Sequence, residues 1–364
     1  MTYNIIGLMS GSSLDGLDIC YTCITIISGK KWEYEIVHAD CIPYSEDLKV
    51  QLKNAAVLSV PEFLRLNIAF GRFCAGEINQ FIDKYDLHHK AFFIASHGHT
   101  AWHEPGANVS CQIGDGATIA ALTGYPTISD LRDMDVALGG QGAPIVPIAD
   151  QLLFSDYDFC LNLGGIANIT VNSADEPLAF DICPANQLLD HFARKKGVAF
   201  DRDGILARAG QCNPNSLAAI NQQEYYLKTA PKSLSNTFSA EEIIPHLEKE
   251  ENVENALATA VAHIAEQIAT AIGPYCHDKG SFNMLVSGGG ALNKQLIAAI
   301  NVALIEKNLP VTCILPDEKV IHFKEALAMA VIGALRWREE NNVLASVTGA
   351  SRNSIGGAFW MGSH

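Results

Sequence analysis

The residues best equipped for chemistry sit in short runs of glycine, hydroxyl and carboxylate side chains, each where an apolar segment ends. The first run is Gly7-Leu8-Met9-Ser10-Gly11-Ser12-Ser13-Leu14-Asp15-Gly16-Leu17-Asp18. Small residues let a backbone approach a ligand closely, and successive turn N–H groups can form an anion-binding nest, to which Ser10, Ser12 and Ser13 add hydroxyls. Asp15 and Asp18 offer the hard oxygen ligands that Mg²⁺ takes directly or through water. The spacing from Gly11 to Gly16 fits a P-loop, but Leu17 and Asp18 stand where Lys and Ser/Thr are required, so that reading fails. A plain glycine hairpin is an equal reading of this stretch alone.

Two further glycine turns follow the same logic. Asn162-Leu163-Gly164-Gly165-Ile166-Ala167-Asn168 reads as strand, turn, strand, and Ser287-Gly288-Gly289-Gly290 as a turn that opens a helix, whose N-terminus favours phosphate. Three such turns together point to a nucleotide. Asp181, between a strand and a helix near Asn186, is placed either for general-base work or for capping that helix. His97-x-His99-x-x-x-His103, followed by Glu104, has the look of a metal-ligand run. Nothing else completes a tetrahedral site, so contact with substrate oxygens is favoured over zinc. Arg132 suits a carboxylate or phosphate, against a solvated ion pair with Asp133 or Asp135. Gly139-Gly140-Gln141-Gly142-Ala143-Pro144 suits a hinge or a substrate loop, and Asp201-Arg202-Asp203-Gly204 a structural turn. Glu325 is expected in the first turn of a helix opened by Lys324, a favourable place for any carboxylate.

The totals restrict the partners. With 364 residues, 48% hydrophobic and 18% charged, the chain has room for two domains and a large core. A net charge of −15 argues against nonspecific binding to nucleic acid or to anionic membranes. The N-terminus lacks the basic and apolar regions of a signal peptide, and no run approaches the ~18 apolar residues of a membrane helix. Ten scattered cysteines, with a lone Cys20/Cys23 CxxC inside a predicted strand, read as reduced, buried thiols of a cytoplasmic protein.

Elements that would position these residues recur in order. Strands near Ile5–Ile6, 19–27 and 32–41 precede helices near 47–58 and 61–85, a strand 91–95, a helix 117–122 and a strand 126–129. The second half repeats the plan, with strands at 159–163, 166–171 and 178–180, an amphipathic helix 255–272, a strand 283–286, a helix 291–305 and a strand 311–315. Each half reads βββα(α)βαβ. The expected fold is α/β, two duplicated domains with a cleft between them, since ligands of such sheets sit beyond the carboxyl ends of the strands. Domain I is expected to comprise 1–136 with 345–364, and domain II 137–344.

The runs above, in order, together with His97-Gly98-His99-Thr100-Ala101-Trp102-His103, Asp135-Val136-Ala137, Lys324-Glu325-Ala326 and Thr348-Gly349-Ala350-Ser351-Arg352, resemble the motifs of anhydro-N-acetylmuramic acid kinases across nearly the whole chain. The resemblance implies the ribonuclease-H-like, actin/hexokinase-type fold and a kinase of peptidoglycan recycling. Such an enzyme uses ATP, Mg²⁺ and water to convert 1,6-anhydro-N-acetylmuramic acid to N-acetylmuramic acid 6-phosphate. It further implies Asp181 as catalytic base. ATP contacts are implied for Gly11, Ser12, Ser13, Leu14, Asp15, Gly16, Leu17, Asp18, Asn162, Gly164, Gly165, Asn168, Gly288, Gly289 and Gly290, and Mg²⁺ contacts for Asp15 and Asp18. The sugar falls to His97, Gly98, Arg132 and Glu325. A small sugar is the implied partner, with a homodimer as the assembly.

The family's Asp-Thr-Gly-Pro-Gly-Asn reads here Asp181-Ile182-Cys183-Pro184-Ala185-Asn186. His99, Glu104 and Leu131 replace the usual Gln, Arg and Phe. These departures are expected on the substrate side, which keeps open a kinase of another anhydro sugar or a nucleotide-binding regulator of the same fold.

Overall fold

A computed structural model describes the 364-residue chain except Ser12, Gly29, Lys30, 173–175, Asn236, Asp278, Lys279 and His364. The chain divides into two compact units, Met1–Ser155 with Phe323–His364, and Asp156–His322.

In the first unit β1 (Thr2–Ser10) is buried along most of its length, as its run of apolar residues requires, and β2 (Gly16–Ser28) and β3 (Lys31–Pro43) follow as antiparallel neighbours. β4 (Phe93–Glu104) lies parallel to β1 on its other side, with β5 (Val109–Ile113) folded back on β4, β6 (Thr127–Ser129) parallel to β4 and β12 (Ala358–Trp360) on the edge. The order is β12-β6-β4-β1-β2-β3. The second unit repeats its central part. β7 (Phe159–Leu163), β8 (Ile166–Val171) and β9 (Leu178–Pro184) form an antiparallel meander, β10 (Phe282–Ser287) lies parallel to β7 and β11 (Val311–Ile314) parallel to β10. Strand for strand, the meander followed by two parallel crossovers is the same in both sheets. The duplicated α/β, ribonuclease-H-like architecture read from the sequence is present.

Helices form where caps and periodic apolar residues coincide. Helix Val60–Lys84 begins with a Ser59/Glu62 capping box and Pro61 in its first turn, and buries Leu66, Phe70, Cys74, Ile78 and Ile82 on one face. Helix Val253–Ile272 starts from Asn252, whose side chain accepts the Asn255 N–H. Among the described residues this segment, taken to Tyr275, is the one helix long and apolar enough to cross a membrane, a length the sequence reading did not assign to any run. Two-thirds of it is buried, and Leu257, Val261, Ile264 and Ile268 pack in the core of the second unit.

Four expectations change. The domain boundaries fall near 155 and 322 rather than 136 and 344, because helix Pro147–Leu153 stays with β3 and helix Glu318–Trp337 packs on β1. The packing is close: a Cβ added to Gly7 would stand 2.1 Å from the Ala326 carbonyl oxygen. Second, β4 continues through the histidine run instead of ending before it. Third, the last long helix begins at Glu318, which puts Glu325 two turns inside it. Fourth, the thiols are all free but not all buried, with Cys41 and Cys212 exposed.

Candidate active site

In the first unit a bulge in β4, opposite Leu8 and Ser10 of β1, brings His97 and His99 into the interior. Gly98 allows it, with φ +73° and the Ile113 carbonyl only 2.6 Å from where a Cβ would be. His97 Nδ1 bonds the Gly98 carbonyl at 2.8 Å and Arg132 Nε donates to His97 Nε2 at 2.8 Å, so Nδ1 carries the proton. Burial, reinforced by the Arg132 charge, pushes His97 down to about 3, and burial takes His99 to about 4. Both rings are therefore neutral at pH 7. His99 Nδ1 pairs with Ser10 Oγ at 3.0 Å, and Tyr44 donates to the same oxygen at 2.7 Å. These bonds use both ring nitrogens of His97 and Nδ1 of His99. Among the described residues no group of three or more His, Cys, Asp or Glu side chains is gathered for a metal. His103 and Glu104 are exposed at the far end of β4.

Arg132 also donates through Nη1 to the Gly142 carbonyl at 2.5 Å. The Gly139–Pro144 loop is fixed by Asp135, fully buried, whose Oδ2 accepts the Gly142 N–H at 2.8 Å and whose Oδ1 accepts Thr348 Oγ1 at 2.6 Å. Three motifs distant in sequence thus meet around Arg132. Its positive charge is matched by Asp135 and Glu325. Lys324 pairs with Asp150 at 2.8 Å, both buried, and burial raises the Glu325 carboxyl despite Lys324 and Arg132 nearby.

Asp18 lies at the start of β2, half-buried. Burial lifts its carboxyl to about 6 against a Cys41 thiol donor, with Glu325 and Asp15 adding to the rise. An under-compensated carboxylate beside an exposed Asp15 is a donor set that fits Mg²⁺. The glycines of this stretch differ in role. Gly16 packs against β3, where a Cβ would meet the Ile42 oxygen at 2.5 Å, whereas a Cβ on Gly11 meets only Ser13 Oγ, at 3.7 Å. Gly11 is the glycine free to face a ligand. Ser13 is exposed beside it, Leu14 turns the chain with φ +59°, and Leu17 is buried in the core. Ser12 lies outside the described residues.

In the second unit the strand register lines up Ser287, Asn162, Asn168 and Asp181 across β10, β7, β8 and β9. Gly164 and Gly165 join β7 to β8, and their carbonyls accept the N–H groups of Asn186, Ala185 and Gln187. The first N–H groups of helix Asn186–Lys195 are thereby used within the fold. Cβ atoms on Gly164 or Gly165 would meet nothing closer than 3.5 Å, and the same holds for Gly289, so these three can approach a ligand. Gly288 has φ +81° and Gly290 packs on Leu163, so both serve the turn itself. The helix expected directly after Gly290 starts only at Lys294, capped by Asn293. Asp201 caps too, accepting the Leu206 and Ala207 N–H groups.

Asp181 stands inside β9 beside a bulge opposite Ala167 and Asn168, not at a strand end and not as a cap. Its Oδ2 accepts the Leu234 N–H at 2.8 Å, its own N–H donates to the Lys232 carbonyl at 3.0 Å, and Tyr225 donates to its carbonyl at 2.8 Å. Among the described residues Oδ1 accepts no hydrogen bond. Burial raises the carboxyl, and the Leu234 N–H offsets part of that. Sequence reasoning missed Tyr225 and the 232–234 segment, where isolated aromatics and backbone donors in irregular chain leave no periodic signal. Ile182, Cys183 and Ala185 are buried in the core cluster of the second unit, and Leu131 is buried in the first unit.

The sequence model of "Anhydro-N-acetylmuramic acid kinase" matches residues 3–362. An anhydro-N-acetylmuramic acid kinase of Hydrogenovibrio crunogenus is 32% identical over 367 residues, covering 98% of this chain and 97% of the relative. One of Streptomyces coelicolor is 34% identical over 381 residues, covering 98% and 94%. Among solved structures, the activator of the 2-hydroxyisocaproyl-CoA dehydratase from Clostridium difficile with bound ADPNP aligns over 93% of this chain and 96% of its own, at 16% identity and a TM-score of 0.47. The near-complete match to the family model and relatives about a third identical over nearly their whole length agree: the chain belongs to the anhydro-N-acetylmuramic acid kinase family.

Proposed function

We propose that this chain uses ATP and water to convert 1,6-anhydro-N-acetylmuramic acid to N-acetylmuramic acid 6-phosphate and ADP, a kinase step of peptidoglycan recycling. The observation that carries the chemistry is Asp181, held through Oδ2 by the Leu234 N–H with Oδ1 left for a water. In this reading Oδ1 takes a proton from water as the water oxygen bonds to the anomeric carbon, as the base of an inverting glycosidase does. The bond from that carbon to O6 breaks, and O6 forms its new bond to the γ-phosphorus as ADP departs. The phosphoryl group captures the developing alkoxide, so no separate acid is needed.

Gly11, Gly164, Gly165 and Gly289, whose Cα faces are open, are assigned to ATP. Arg132, held by His97 and Gly142, is assigned to the sugar's lactyl carboxylate, with Glu325 and the neutral His97 supporting it. Asp18, with Asp15, would hold Mg²⁺, which supplies charge neutralisation on the phosphates. A reaction that draws on ATP belongs in the cytoplasm, and ten free thiols suit that reducing compartment.

The test follows sugar 6-phosphate and ADP together, with ATP, Mg²⁺ and the anhydro sugar supplied. Asp181→Asn is expected to lose about 10²- to 10⁴-fold in turnover while still binding ATP, the usual share of a general base. The wild-type rate should fall as pH drops through a carboxyl pKa above the ordinary Asp range, because burial raises this one. ADP without sugar phosphate would mean another acceptor, and an active Asp181→Asn would remove the base.

A further inference from the structure

Asp181 is gripped by a segment that belongs to none of the strands. Between helix Pro214–Asn221 and helix Val253–Ile272 the chain makes a short 3₁₀ turn, Glu224–Leu227, and then runs past β9. Every recorded polar contact of Asp181 outside the sheet comes from this excursion: Tyr225 Oη to its carbonyl, the Lys232 carbonyl to its N–H, and the Leu234 N–H to Oδ2. The excursion braces itself, since Lys232 Nζ lies 4.6 Å over the Tyr225 ring and donates to the Tyr225 carbonyl at 3.3 Å.

Its outer anchor is a buried polar chain. Tyr226 Oη meets His263 Nε2 at 2.9 Å, and His263 Nδ1 meets Asn221 Oδ1 at 2.5 Å. Gln267 Nε2 donates to the same Asn221 oxygen at 3.0 Å, and Asn221 Nδ2 donates to Glu266 Oε2 at 2.5 Å. Because Asn221 Oδ1 can only accept, His263 Nδ1 carries the proton, and Nε2 accepts the Tyr226 hydroxyl. His263 is fully buried and burial pushes it down to about 3, so the ring stays neutral and keeps both bonds across the working pH range. Such a chain is rigid when every member is satisfied.

We infer that Tyr225, Tyr226 and His263 are positioning residues that hold the 225–234 segment against β9 and thereby set the orientation and basicity of Asp181. The inference rests on the reading of Asp181 as the general base. The titratable group that interacts with that carboxyl is Tyr225 from the excursion; Lys232 of the excursion and Cys183 of β9 interact with each other, and β8 contributes the uncharged Asn168. The one bond that favours the ionised form is the Leu234 N–H. Loosening the clamp weakens that bond, so the carboxyl pKa rises.

The experiment uses the full chain with two variants. Tyr225→Phe keeps the ring that packs on Tyr226, Phe238 and Lys232 and removes only the hydroxyl. Tyr226→Phe leaves Asp181's own contacts in place and cuts the anchor at His263. Asp181 ionisation is read by its infrared carboxylate band, assigned by difference against Asp181→Asn. Turnover is read as sugar 6-phosphate, with circular dichroism melts as the folding control. Both variants are expected to move the band's titration and the acid limb of kcat/KM to higher pH and to lower kcat about tenfold, the share of one hydrogen bond. The KM for ATP should be unchanged. An unmoved titration in folded variants, or equal losses in every parameter including ATP binding, would overturn the clamp. Absent turnover in the wild type with a band that still shifts would sink the substrate reading and leave the clamp standing.

Discussion

Asp18 carries a charge that the fold resists. Its carboxyl ionises near 6 in the native protein against an ordinary 3.8, chiefly through burial, opposed by the Cys41 thiol and then assisted by Glu325 and Asp15. The native state therefore binds more protons than the unfolded chain between these values, and stability falls as pH rises from about 4 to about 6. Asp18→Asn should stabilise the metal-free protein at pH 7–8 by on the order of 2 kcal/mol. The gain should vanish below about pH 4, where both states hold the proton. Melting curves without divalent ions from pH 4 to 8 read this directly, and a gain independent of pH would show that the Asp18 charge is not its source. Asp18, His97, Arg132 and Asp181 were legible in the sequence because a polar residue that interrupts or follows an apolar run needs a reason, although His97 and Asp181 lie inside β4 and β9 rather than at their ends. Tyr44, Tyr225 and the Leu234 N–H were not, because their roles come from chain segments brought together only by folding. Ile182 and Cys183 follow the candidate base in sequence, and the fold turns both into the core of the second unit.

At the scale of elements, the same residue type does two jobs a few positions apart. Gly7 exists so that helix Glu318–Trp337 can lie against β1, while Gly11 has an open face. Gly7→Ala would force the helix off the strand and should cost on the order of 3 kcal/mol or more, as overpacking against a rigid backbone does. Gly11→Ala should leave the melting temperature within a few degrees and weaken ATP binding. Calorimetric melts beside a nucleotide titration separate the two, and a Gly11→Ala protein that binds ATP normally would take that residue out of the site. The repeated strand plan was legible because each central strand is a continuous apolar run ending in Ser, Gly or Asp. β5 and the second half of β4 were not, since the bulge at Gly98 breaks the two-residue alternation there. The early start of helix Glu318–Trp337 did have a mark: Asp317 accepts the Val320 N–H as its cap.

For the whole molecule, the division into units has an energetic consequence. The core that runs from Phe159 to Ile321 is closed within Asp156–His322, with β7 to β11 and helix Val253–Ile272 all supplied by one continuous stretch. The other unit is discontinuous. Its β1 is covered by the helix turn at Ala326 and one of its edge strands is β12, both from the C-terminal piece. The sequence reading already gave the first unit a C-terminal piece, but not the helix that covers β1, because which helix seats on which strand is decided by contacts such as Gly7 with Ala326 rather than by periodicity. A fragment of residues 156–322 should fold alone and unfold cooperatively in urea, with an m value in the range of about 1–3 kcal/mol/M typical of small domains. A fragment of residues 1–155 should not, since it leaves β1 uncovered and β6 without its outer neighbour β12. Far-UV circular dichroism against urea distinguishes them. A cooperative 1–155 fragment would mean that the C-terminal piece only decorates the first unit. A non-cooperative 156–322 fragment would mean that the core from Phe159 to Ile321 needs support from outside its own stretch of chain.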